Sequence, residues 1–90
     1  PRSNIHPAAE TLARLKAADG DFEGARAAYE SVLKQRPNAG MSLYGIARSY
    51  AIEGDNKRAA KAYRDFLAAW PDADPDLAQL IEAGVWLKQH

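Results

Sequence analysis

Apolar and small residues recur every three or four positions in two stretches of this chain, at 22–35 and 56–69. This spacing places them on one face of an α-helix and leaves charged residues on the other face. The pattern therefore predicts two amphipathic helices, Phe22–Gln35 and Asn56–Ala69. Their apolar faces hold Ala25, Ala28, Tyr29, Val32 and Leu33 in the first helix, and Ala59, Ala62, Tyr63, Phe66 and Leu67 in the second.

A further helix is predicted before each of these two, over residues 7–18 and 41–52. Pro7 suits a first helical turn, where a missing N–H costs nothing. A glycine after each of these helices supplies the left-handed residue that ends it, and the following aspartate can cap the next helix. A proline stops the second helix of each pair. These signals are Gly20, Asp21 and Pro37 in the first pair, and Gly54, Asp55 and Pro71 in the second.

The two helix pairs are copies of one unit. Residues 6–39 laid over 40–73 are identical at eleven of 34 positions. A fixed period of this length indicates stacked repeats, because one helix pair cannot bury its apolar face alone. Small residues should lie where the two helices of a pair cross. The alanines expected at these crossings are Ala13 and Ala25 in the first unit, and Ala47 and Ala59 in the second.

The spacing of large, small and turn residues in the two units resembles the tetratricopeptide repeat. The first unit departs from it at Ala9, where a large apolar residue is usual, and at Lys16, where the second unit has Tyr50. The resemblance implies an all-α fold, an α–α superhelix of five antiparallel helices. It is carried by Leu12, Ala13, Gly20, Ala25, Tyr29, Val32 and Pro37 in the first unit, and by Leu43, Ile46, Ala47, Tyr50, Gly54, Ala59, Tyr63, Phe66 and Pro71 in the second.

The last part of the chain continues the helical pattern with Leu77 and Leu80 but lacks a partner helix. It resembles the capping helix that closes such stacks. Residues 73–87 also resemble the closing segment of repeat modules at the C-termini of larger bacterial proteins, including some kinases and transcription regulators. Pro1 either follows a removed methionine or belongs to a piece of a longer protein. The expected organisation is one domain over 1–90, with repeats at 6–39 and 40–73 and the capping helix at 74–90.

The charge balance and the absence of cysteine exclude several classes of function. Twelve basic residues face 12 acidic ones, which argues against nonspecific nucleic-acid binding and against polybasic attachment to membranes. No run of about 18 apolar residues occurs, so membrane insertion is not expected. Without cysteine the chain has no disulfide, thiolate zinc site or cysteine nucleophile, and its cellular compartment stays open. No cofactor is expected.

In tetratricopeptide stacks the first helix of each pair lines a concave groove, so the resemblance implies where a peptide would bind. The first pair contributes Glu10, Arg14 and Ala17, the second Met41, Tyr44, Arg48 and Ile52, and the closing helix Gln79 and Glu82, with Trp86 as a further candidate. Either Met41, Tyr44 and Ile52 form an apolar groove floor, or they are partly buried under the closing helix. The lysine and asparagine clamp that some family members use is missing, which argues against a receptor for chaperone tails.

Arg14 and Arg48 occupy equivalent positions in the two units, so their side chains should lie next to each other on the first helices of successive repeats. Guanidinium groups bind carboxylates in a bidentate way, which points to an acidic segment or a peptide C-terminus as the ligand. The alternative is internal pairing. Glu10 lies four residues before Arg14 on the same helix, and Glu82 of the closing helix should lie next to Arg48 in the same row of side chains.

Other residues of chemical interest have structural explanations. Trp70 and Trp86 are expected to pack at the cap rather than at an interface. Three alternating aspartates resemble the start of a calcium loop, but the required glycine and glutamate are missing, so turn formation and helix capping explain them better. No second ligand is spaced to join His6 or His90 in a metal site. The aspartates are Asp72, Asp74 and Asp76.

These observations favour a non-catalytic protein-interaction module that binds a peptide or helix, acidic in character, in a concave groove. Self-association through the open face of the first helix is the alternative, as is an accessory role at the C-terminus of a larger bacterial signalling protein. An enzyme is not indicated, because no phosphate loop, nucleophile elbow or acid–base pair is present.

Overall fold

The computed structural model of the chain describes residues 9–69 and 78–90. All regular structure in these residues is α-helical, which confirms the predicted all-α fold. The helices are α1 (Ala9–Ala18), α2 (Phe22–Gln35), α3 (Gly40–Glu53), α4 (Asn56–Ala69) and α5 (Ala78–Gln89). The bounds of α2 and α4 match the prediction, whereas α3 is one residue longer at each end than the expected 41–52. Pro7, proposed for the first helical turn, lies outside the described residues.

The turns inside each pair use the glycine and aspartate that the sequence indicated. Gly20 and Gly54 have φ values of 84° and 86°, in the left-handed region that disfavours residues with a Cβ. The amide of Gly24 donates to Asp21 Oδ1 at 3.0 Å, and the amide of Arg58 donates to Asp55 Oδ1 at 3.2 Å. Both aspartates therefore cap the helix that follows, as predicted. Hydrogen bonds from the side chain and amide of Arg58 lower the pKa of Asp55.

The helices pack as two antiparallel pairs and a closing helix. α1 packs on α2 and α3 on α4, while contacts between α2 and α3 join the pairs and α5 lies against α4. The four alanines expected at the crossings are buried to 0% exposure, so the helix axes can approach closely: Ala13, Ala25, Ala47 and Ala59. The exact division of the chain into repeats at 6–39 and 40–73 stays a prediction.

Aromatic side chains fill the space beside these alanines. Phe66 and Tyr63 are 0% and 1% exposed, and the Phe66 ring lies 5.5 Å from the ring of Tyr44 on α3. Trp86 on α5 packs against Tyr63, with ring centroids 5.0 Å apart, and it also stacks on the His90 ring at 4.2 Å. Trp86 is thus packed at the closing helix, as expected. Trp70, Leu77 and the three aspartates lie outside the described residues.

Candidate functional site

A cavity of about 460 Å³ opens between α1 and α3, with α2 beneath it. We call it the α1–α3 groove. Six of the residues predicted to form a peptide site border it: Arg14, Ala17, Met41, Tyr44, Arg48 and Ile52. Five residues that the sequence did not single out border it as well: Ala18, Phe22, Tyr29, Gly45 and Ser49.

Four of the predicted site residues do not border the groove or cannot be placed in it. Gln79 and Glu82 lie on α5, outside the groove lining, and Trp86 packs on Tyr63 instead. Glu10 belongs to the first turn of α1, and its side chain lies outside what the structure describes.

Two of the three residues proposed for the groove floor are exposed, and the third is buried. Met41 and Ile52 are 40% and 56% exposed, so neither is covered by α5. Tyr44 is only 9% exposed, and its hydroxyl donates to Glu82 Oε1 at 2.7 Å. Part of the Tyr44 side chain therefore borders the groove, while its hydroxyl is hydrogen-bonded to the closing helix.

Glu82, the acidic residue considered as an internal partner of Arg48, is hydrogen-bonded to a different side chain. Glu82 accepts the hydrogen bond of Tyr44, and no ion pair joins it to Arg48 among the described residues. Arg48 lies beside the same tyrosine hydroxyl. Arg14 likewise makes no ion pair with any side chain that the structure describes. Both arginines are solvent-exposed and are the charged residues of the groove lining.

Tyr44 on α3 and Tyr63 on α4 both have raised pKa values. Burial raises the pKa of Tyr44, and the hydrogen bond and charge of Glu82 raise it further, whereas Arg48 lowers it. Burial, with a contribution from Glu82, raises the pKa of Tyr63 to about 12. Both phenols are therefore neutral near pH 7, and they act as hydrogen-bonding and packing groups.

Arg26 fixes the relative position of the two helix pairs. From α2 its guanidinium donates to Glu53 Oε1 at 2.6 Å and to Ser49 Oγ at 3.1 Å, both on α3. It also lies 4.2 Å from the centroid of the Tyr50 ring. Ser49 borders the groove, so this cluster holds one wall in place. Sequence reasoning missed it because the repeat alignment pairs Arg26 with Ala60 and Glu53 with Asp19, which leaves no repeated signal.

Metal binding and membrane insertion find no support in the described part of the chain. No group of three or more His, Cys, Asp or Glu side chains there could hold a metal ion. No helix among residues 9–69 and 78–90 is both long enough and apolar enough to cross a membrane.

Comparison with known proteins identifies the architecture. The family model of the tetratricopeptide repeat matches residues 10–74, which is more than half of the chain. No curated protein and no solved structure matches the chain. The matched segment contains both helix pairs except Ala9, and with them every residue that borders the groove.

Proposed function

Because the chain belongs to the tetratricopeptide repeat family, whose members generally mediate protein–protein interactions without catalysis, we propose that it binds a peptide or helix in the α1–α3 groove. The family relationship supports an interaction module in general. The choice of this groove as the binding surface rests on the side chains that border it.

The two groove arginines carry this proposal. Arg14 and Arg48 come from successive repeats and lie on the two helices that form the walls. Neither forms an ion pair with another described residue, although the chain as a whole is neutral. A guanidinium group that forms no ion pair within the described part of the chain can pair with carboxylates of a ligand in a bidentate way. The partner segment is therefore acidic, or ends in a carboxylate.

The remaining lining suits a segment with apolar side chains as well. Met41 and Ile52 are exposed large apolar residues, and Ala17 leaves room between them and α1. A concave, largely apolar surface with a few charged groups is the usual form of a binding site. The cavity volume of about 460 Å³ lies in the range of roughly 300–1,000 Å³ that such sites have.

Charge reversal in the groove should abolish partner capture. We expect the double variant Arg14→Glu/Arg48→Glu to lose at least about tenfold in affinity for its partner, since like charges then face each other. The measurement is a pull-down from source-organism lysate with identification by mass spectrometry, followed by titration of the recovered partner.

The matched control is Lys57→Glu/Arg64→Glu, which makes the same change of charge at exposed positions of α4 outside the groove. This control should capture the partner as well as the native chain does. Equal capture by the native chain and the groove variant would assign binding to another face.

Self-association is the second candidate, because α1 carries an apolar face with no covering helix among the described residues. Leu12 and Leu15 on α1 are 48% and 62% exposed. Burying such a pair against a second copy would stabilise a dimer through the hydrophobic effect.

Sedimentation velocity over a range of concentrations tests self-association. The native chain should then form dimers or larger species at high concentration, whereas Leu12→Glu/Leu15→Glu should stay monomeric. A native chain that is monomeric at every concentration would exclude self-association. An accessory role in a larger bacterial signalling protein stays a prediction.

A further inference from the structure

Gly45 has a role that neither the helix nor the repeat explains. It lies inside α3, where glycine is less favourable than alanine, and the equivalent residue of the first unit is Thr11. Its φ is not positive, so no unusual backbone conformation requires it. The remaining physical reason for glycine is space.

That space is taken by Tyr29, which reaches from α2 to the backbone of α3. A Cβ placed on Gly45 would overlap the Tyr29 ring carbons Cζ and Cε2 and lie 2.8 Å from its hydroxyl oxygen. The Tyr29 side chain is only 7% exposed, so it is packed on most sides. It also borders the groove, which is the open space next to it. A side chain at position 45 would therefore displace the ring, and we expect the ring tip to move into that open space.

The part of the groove that Tyr29 leaves open is apolar, with two cations among its lining residues. Phe22, Met41 and Ile52 contribute large apolar groups, and Ala17 and Ala18 contribute small ones that keep the cavity wide. The charged lining residues are the two arginines described above. An occupant that matches this lining has a large apolar group with carboxylates beside it.

We propose that the groove contains an anchor pocket, kept open by Gly45, which receives one bulky apolar side chain of an acidic partner segment. The inference rests on the proposed groove function and names the chemistry of its ligand. Interfaces obtain most of their affinity from a few large side chains that fill such pockets, while the neighbouring polar contacts set orientation. The arginines would select the acidic segment, and the pocket would fix its register.

Fluorescence anisotropy with synthetic peptides tests the anchor pocket. The probes are labelled, glutamate-rich helical peptides of equal length that differ at one central position, which holds alanine, leucine or tryptophan. The native chain should bind the leucine and tryptophan peptides at least about tenfold more tightly than the alanine peptide. Gly45→Ala should remove this preference and leave the weaker binding of the alanine peptide unchanged.

Two further variants separate pocket closure from damage to the fold. Tyr29→Leu/Gly45→Ala should regain the preference, because leucine lacks the ring tip that fills the pocket. Ala18→Trp should fill the pocket from an exposed position of α1 and remove the preference without touching the core. Ala27→Trp makes the same change at an exposed position of α2 outside the groove and should bind like the native chain. Circular dichroism verifies that each variant is helical.

The outcomes distinguish this inference from the proposed function. Equal affinity of the native chain for all three peptides, or no binding of any, overturns the anchor pocket. A preference that survives in either Gly45→Ala or Ala18→Trp also overturns it. The groove function fails separately, if Arg14→Glu/Arg48→Glu binds the peptides and captures the natural partner as the native chain does.

Discussion

Replacing Phe66 with alanine is expected to lower the free energy of unfolding by about 3–5 kcal/mol. The side chain is 0% exposed and lies between α4 and α3, where its ring packs 5.5 Å from that of Tyr44. Its removal takes away apolar burial and leaves a cavity that the helices cannot close without shifting. A domain of this size has only about 5–15 kcal/mol of stability, so the loss is a large part of the total.

Thermal and urea unfolding monitored by circular dichroism measure the effect. The midpoint temperature should fall by more than about 10 °C. Phe66→Leu keeps most of the volume and should cost much less, while Ile81→Ala, at a half-exposed position of α5, should change little. Equal stability of Phe66→Ala and the native chain would show that Phe66 is not part of the core.

Replacing Ala59 with leucine should destabilise the chain by on the order of 1–3 kcal/mol, although it adds apolar volume. Ala59 is 0% exposed on α4, which packs on α3, where Ala47 is equally buried. A longer side chain there forces the two helices apart or adopts an unfavourable rotamer. Because leucine and alanine have nearly the same helix propensity, the loss reports packing rather than helix formation.

The matched control is Ala68→Leu, the same change on the same helix at an exposed position. Its unfolding midpoint in urea should stay close to that of the native chain, while that of Ala59→Leu falls. An unchanged midpoint for Ala59→Leu would mean that the space between α3 and α4 accommodates a larger side chain. Packing would then not require small residues there.

The local elements could be predicted because their causes lie close together in the sequence. A helix needs a periodic apolar face, and its ends need residues that satisfy free backbone groups or adopt positive φ. Gly20, Asp21, Gly54 and Asp55 supply those ends within a few positions, so the turns were predictable. The 34-residue period then determined that the pairs stack, since neither pair can bury its apolar face alone.

The candidate site was only partly predictable. Arg14 and Arg48 could be found because they occupy equivalent positions in two copies of one unit, and the structure places both at the groove. Pairing with Glu82 was one of the two alternatives for Arg48, yet the hydrogen bond of Glu82 goes to Tyr44. The order of residues along a helix gives the face on which they lie. This order does not determine which residue of a neighbouring helix a side chain contacts.

The sequence by itself thus determined the helices, their caps, the repeat and the family. The tertiary structure decided how the two pairs are fixed to each other and what shape the groove has. Arg26 meets Glu53 and Ser49 across 27 and 23 positions of chain, and Tyr29 lies against Gly45 with no counterpart in the other unit. Such contacts depend on the angle between the two helix pairs and on how individual side chains pack in the space between helices. They leave no periodic signal in the sequence, because each occurs only once.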